Sequence, residues 1–139
     1  MSAFKDLSIA LNQKLQAYST ANSRSVAWEN IEFNPTTSTM YLRPTVLPAA
    51  SVQAGLGSTG QELHQGIFQI DVFAKIDESK SIALAEADAI ADYFARGTTL
   101  TYNGVNVRLG TASNGSGIRD SGWFIVPVFI NYLSFTQAR

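Results

Sequence analysis

Gly55-Leu56-Gly57-Ser58-Thr59-Gly60 spells G-x-G-x-x-G, the pattern of a dinucleotide-binding turn. Such a turn works when a strand runs directly into it and a helix starts on it, so that the glycines admit a pyrophosphate to the helix N-terminus. Here Ala49–Ala54 make a poor strand and the residues after Gly60 lead to another strand, so the motif reads as a flexible loop. No P-loop lysine accompanies it. His64 is the only histidine. A general base needs a nucleophile or an orienting carboxylate, and nothing fixes the nearby Glu62 and Asp71 in place, so it reads as a surface or interface histidine. Asp77, Glu78, Glu86, Asp88 and Asp92 could hold a hard cation or run acid–base chemistry. Glu86 and Asp88 stand two apart and point different ways on a helix, so these acids read as a solvated face and partners of the helix dipole. No serine sits in a nucleophile elbow. Asn114-Gly115-Ser116 is a formal glycosylation sequon without a secretory signal to give it meaning. With no cysteine, thiolate metal sites, disulfides and cysteine nucleophiles are excluded, and one histidine cannot make a multi-histidine metal site. No catalytic residue, cofactor or metal is expected.

The elements around these residues are set by periodicity. Phe4, Leu7, Leu11, Leu15 and Tyr18 form one stripe of a helix over 3–19, with Ser2 as N-cap and Asp6 in its early turns. A short extended piece at Val26–Trp28 continues to Ile31 and Phe33, and Asn34-Pro35 ends it. Thr39–Leu47 is a strand, with Met40, Leu42 and Val46 on one face; Pro44 marks an edge, an end or a bulge. Residues 49–65 read as a long Gly/Ala/Ser/Gln loop. Gly66–Ile76 alternates as a strand. A helix near 80–96 comes next, with Ser79 as N-cap and Gly97 as its stop. Its expected inner stripe is Ile82, Ala85, Ala89 and Tyr93, with Ile90 and Phe94 beside it and Glu86, Asp88, Asp92 and Arg96 in water. Asn103-Gly104 between Leu100–Tyr102 and Val105–Leu109 predicts a hairpin with a type I′ turn. Residues 110–122 read as a second loop. Trp123–Phe135 is apolar on both faces, so it predicts a central strand covered by helices or by another subunit, bending at Pro127 or projecting past the sheet. The class is α+β: a mainly antiparallel β-sheet with two helices packed on one face, plus a β-hairpin and long loops.

The 139 residues make one domain spanning 1–139. Ten Lys+Arg against eleven Asp+Glu give a net charge of −1, and the arginines are scattered, so neither a nucleic-acid footprint nor a membrane-holding patch is present. No apolar run reaches the ~20 residues of a membrane span. Met1–Leu15 carries Lys5, Asp6, Asn12 and Lys14, which reads as no secretory signal. Charged residues are 15%, below the roughly 25% of ordinary soluble domains. Such a surface suits a protein covered by copies of itself or by partners; it equally suits a neutral polar monomer.

Several ordered pieces resemble the tail terminator (tail completion) proteins of long-tailed bacteriophages. They are Trp28-Glu29-Asn30-Ile31-Glu32-Phe33-Asn34-Pro35, then Tyr41-Leu42-Arg43-Pro44-Thr45-Val46-Leu47-Pro48-Ala49, and Gly66-Ile67-Phe68-Gln69-Ile70-Asp71-Val72-Phe73. An Ala-rich helix with Ala87-Asp88 and Phe94 comes after them, and Trp123-Phe124-Ile125-Val126-Pro127-Val128 closes the set. The resemblance spans residues 3–135, apart from the unmatched 49–65. It implies a structural virion protein of the tail and neck, assembled in the host cytoplasm, with no catalysis and no cofactor. Six copies would form a ring that caps the tail tube protein, stops tail polymerisation and meets the head–tail connector or stopper protein. DNA would pass through without sequence readout. Candidate subunit or partner contacts are Arg43, Gln53, His64, Asn103, Arg108, Asn114, Arg119 and Trp123. The alternatives are another neck component or a small α+β ligand-binding domain.

Overall fold

A computed structural model describes residues 3–33, 40–57, 60–75 and 80–137. The chain order is α1 (Ala3–Ala21), β1 (Ser25–Val26), β2 (Met40–Pro48), β3 (Val52–Gln53), β4 (Gln61–Lys75), α2 (Lys80–Tyr93), β5 (Thr99–Tyr102), β6 (Val105–Asn114), β7 (Ile118–Asp120) and β8 (Trp123–Gln137). One sheet runs β1-β2-β4-β8-β6-β5, with β3 also on β4 and β7 also on β8. Every pairing is antiparallel except β1–β2. This is the expected α+β class, with both helices on one face.

The apolar last strand takes the centre, as its two-sided pattern predicts. β8 pairs with β4 from Trp123↔Lys75 to Gln137↔Gln61, straight through Pro127. Its even residues Val126, Val128, Ile130 and Tyr132 join Phe68, Ile70 and Val72 of β4, Leu42 of β2 and Val105, Val107 and Leu109 of β6 in the core under the helices. The helices cover that face alone. On the other face Leu133 and Phe135 are exposed.

Two expected loops are partly strand. β4 begins at Gln61 rather than Gly66, and β3 pairs with it through Val52↔Leu63 and Gln53↔Glu62. β2 and β3 thus form one interrupted strand along β4, ending in an arm whose described tip residues are 54–57 and 60. The glycines of the tip serve backbone packing. A Cβ on Gly60 would stand 2.7 Å from the Gly55 carbonyl carbon, and Gly57 takes φ +80. No helix starts on them, so the dinucleotide geometry is absent from the described residues, which leave out 58 and 59. Residues 110–122 likewise belong to β6, which shifts register between Leu109 and Ala112, and to β7. Ser121 (φ 50) and Gly122 (φ 85) turn β7 into β8 as Asn103 (φ 50) and Gly104 (φ 82) turn β5 into β6.

α1 buries Leu7, Leu11, Leu15 and Tyr18 as expected, but Phe4 is exposed. α2 is rotated from the expected face. Ala83, Glu86, Ala87 and Ile90 are buried, followed by Phe94 just past its end, whereas Ile82, Ala85, Ala89 and Tyr93 face outward. Glu86 is the cause. It is 6% exposed, not in water, because its partners are inside. The Arg24 guanidinium donates to both carboxylate oxygens at 2.9 and 3.0 Å, and the Tyr18 hydroxyl donates at 2.8 Å. Asp88, Asp92 and Arg96 are exposed as expected. The expectations for Ser2, Asn34-Pro35, Ile76, Asp77, Glu78 and Ser79 lie outside the described residues.

Three variants check this packing by urea denaturation. Ile90→Ala costs about 3 kcal/mol, whereas Ile82→Ser changes stability by about 0.5 kcal/mol or less. Arg24→Ala, which strands the Glu86 carboxylate, costs about 3 kcal/mol.

Candidate functional site: the uncovered face of the sheet

The face of the sheet turned away from the helices is built by the odd-numbered residues of β2, β4 and β8, because successive strand side chains alternate. At one end stands an aromatic cluster. Tyr41 stacks on Phe73 with centroids 4.4 Å apart and planes at 12°, and Trp123 meets Tyr41 edge-on at 5.0 Å. Phe33 covers Tyr41 from the chain before β2, at 4.9 Å. The Arg43 guanidinium lies 4.8 Å from the Phe73 ring centre and donates to Asp71 Oδ2 at 3.0 and 3.3 Å. Gln69 Nε2 donates to Asp71 Oδ1 at 2.8 Å. The buried carboxylate beside this cluster is therefore fully partnered, which removes most of the penalty of burying it. Burial lifts the Tyr41 phenol above its ordinary range, with the Arg43 charge pulling the other way.

At the opposite end Leu133 and Phe135, the latter 50% exposed, lie beside Arg108. Together with Gln61, Thr99, Asn106 and Ser134 they line a shallow depression of about 570 Å³. Apolar floor and scattered polar rim are the make-up of a protein contact rather than of a catalytic cleft. Among the described residues no group of three or more His, Asp or Glu could hold a metal ion. No helix there is long and apolar enough to cross a membrane.

The eight candidate contacts do not converge. Arg43, Arg108 and Trp123 share the uncovered face, Arg108 because it stands opposite Leu133. Gln53 lies on the arm and donates to the Gly55 carbonyl at 2.8 Å. Asn103 sits at the β5–β6 turn and reaches buried Asp6 of α1 at 3.2 Å. Asn114 donates to Asp88 of α2 at 2.8 Å, and Arg119 stands exposed on β7 opposite Phe124. His64 is buried, not at the surface. Its Nδ1 lies 2.8 Å from Ser51 Oγ and its Nε2 2.8 Å from Thr136 Oγ1, so it ties the arm to β8. Sequence reasoning misses Tyr41 and Asp71. Tyr41 is legible as the odd residue between core Met40 and Leu42; the Asp71 pairing with Arg43 across β2–β4 is not.

The family model described as phage tail terminator protein matches residues 6–132. No curated protein matches the sequence. One solved structure, 24% identical, superposes over 96% of each chain with a TM-score of 0.79. A second belongs to the virion of a native gene transfer agent particle; it is 16% identical, with coverage of 97% of this chain and 98% of that one and a TM-score of 0.65. At those identities both similarities concern the fold.

Burial also lifts the phenols of Tyr132 and, most strongly, Tyr18, where the Glu86 hydrogen bond and charge add to burial. The unfolded chain then loses phenolic protons first as pH rises. The stabilisation is complete below roughly pH 10 and is lost above it. Urea midpoints should fall over that alkaline range, and Tyr41→Phe should lessen the fall.

Proposed function

The chain belongs to the phage tail terminator family of structural virion proteins, and from that membership we propose that six copies close into a ring on the end of the tail tube. The ring stops tube polymerisation and presents its far side to the head–tail connector or stopper. The observation that carries this reading is the sheet face the helices leave uncovered. It presents Leu47, Leu133 and Phe135 to solvent on a chain with only 15% charged residues. Burying such side chains against a neighbour is favourable by about 25 cal/mol per Å² of apolar surface, a gain a lone monomer forgoes. A net charge of −1 suits a channel that lets DNA through without gripping its phosphates. Arg43, Arg108 and Trp123 are the contact residues this reading favours.

Native mass spectrometry of the purified protein, alone and with tail tubes, tests it. The expected particle is about 90 kDa, six copies of the 15.0 kDa chain, free or at the tube end. Tubes assembled without the protein should overrun their normal length, and adding it should cap them. A stable dimer that leaves tube growth unchanged would overturn the reading. Binding to the connector and not to the tube end would move the protein to the neck.

A further inference from the structure

The sheet protects its backbone edges unequally. Along β2 the outward-pointing residues are Leu42, whose carbonyl accepts from Ala27 N–H at 2.8 Å, then Pro44, Val46 and Pro48. The two prolines have no N–H, and the Val46 N–H is taken by the Glu29 carboxylate at 3.3 Å. On the other flank β7 carries Arg119 and Asp120, and β6 breaks register beyond Leu109. Prolines, charges and bulges are the usual defences of an edge strand against another chain.

Two segments carry neither a proline nor a charge. On the arm, Ala54 N–H donates to the Gln61 carbonyl at 2.8 Å. By the alternation of an antiparallel ladder, Val52 therefore also faces β4, and Ser51 and Gln53 turn their backbone groups outward. At the far end of the sheet, Tyr102 and Val105 close a two-residue turn and Leu109 N–H donates to the Thr98 carbonyl at 2.8 Å. Leu100 and Tyr102 thus spend their backbone groups on β6, and Thr99 and Thr101 point theirs away. Neither Ser51–Ala54 nor Thr99–Tyr102 contains a charged residue. Val52 and Leu56 stand 49% and 93% exposed on the arm.

We infer that these two edges pair with each other between copies, the β3 edge of one subunit adding to the β5 edge of the next. The partner is a second copy because one chain carries both edges, each short and lacking charge, on opposite flanks of one sheet. Two different, complementary surfaces per subunit are what a head-to-tail ring needs. The inference rests on the ring reading above and names the contact that closes it.

The absence of cysteine makes the test clean. Two double variants, Gln53→Cys with Thr99→Cys and Gln53→Cys with Thr101→Cys, cover both registers of the outward residues. Facing Cα atoms at about 5.5 Å suit a disulfide. Copper–phenanthroline oxidation of the assembled protein should link copies into a ladder on denaturing gels in at least one variant. Gln53→Pro and Thr101→Pro remove an N–H that the ladder alternation turns outward. They should shift the assembly to 15.0 kDa with an unchanged circular dichroism spectrum. An assembly that neither cysteine pair links, or that survives both prolines, overturns the edge pairing and leaves the ring standing. A parent protein that never assembles, even on tube ends, removes the ring and this contact with it.

Discussion

The long ladder between β4 and β8 is the constraint on which the rest of the molecule depends. It joins residues 61–75 to residues 123–137 without a break. Because side chains alternate, it fixes every even residue of both strands toward the helices and every odd one away. The core, the aromatic cluster around Tyr41 and Phe73 and the exposed Leu133 and Phe135 are all consequences of that register. A slip of one residue would exchange core and surface along both strands.

The ladder also explains why two helices are not enough. α2 packs over it and α1 lies against β5, β6 and β1, while β4 and β8 run on into the arm. There His64 replaces an apolar core with hydrogen bonds to Ser51 and Thr136. The arm therefore keeps its shape through polar bonds within one chain while leaving Val52 and Leu56 outside. The aromatic end achieves the reverse, sheltering a carboxylate beneath Arg43.

What is legible in the sequence is local. Asn103-Gly104 announces its turn because both residues must take positive φ, and β8 announces its place because both faces are apolar. One misread piece depends on partners far away in the chain. The inward face of α2 holds Glu86, and only Arg24 and Tyr18, more than sixty residues earlier, make that tolerable. Residues 49–65 have the composition of a loop; pairing with β4 makes part of them strand. Ser121-Gly122 is a weaker form of the Asn-Gly signal and escapes notice in a Gly/Ser-rich stretch. The site is half visible. Trp123 and Arg43 stand among the sequence candidates, but only the β2–β4 register places Asp71 beneath Arg43 and Tyr41 against Phe73.

The position of β8 in the chain has a consequence in time. β2 and β4 can meet as a hairpin as soon as residue 75 has been made. The centre of the sheet stays vacant until residues 123–137 are available. Pairing strands this distant in sequence is slow, and closing the intervening loop is unfavourable until the contacts form. Until then the sheet is unfinished and β4 lacks its central neighbour, so the two halves of the fold join only when β8 is inserted. The last strand made is thus the one that completes the sheet and sets both of its faces.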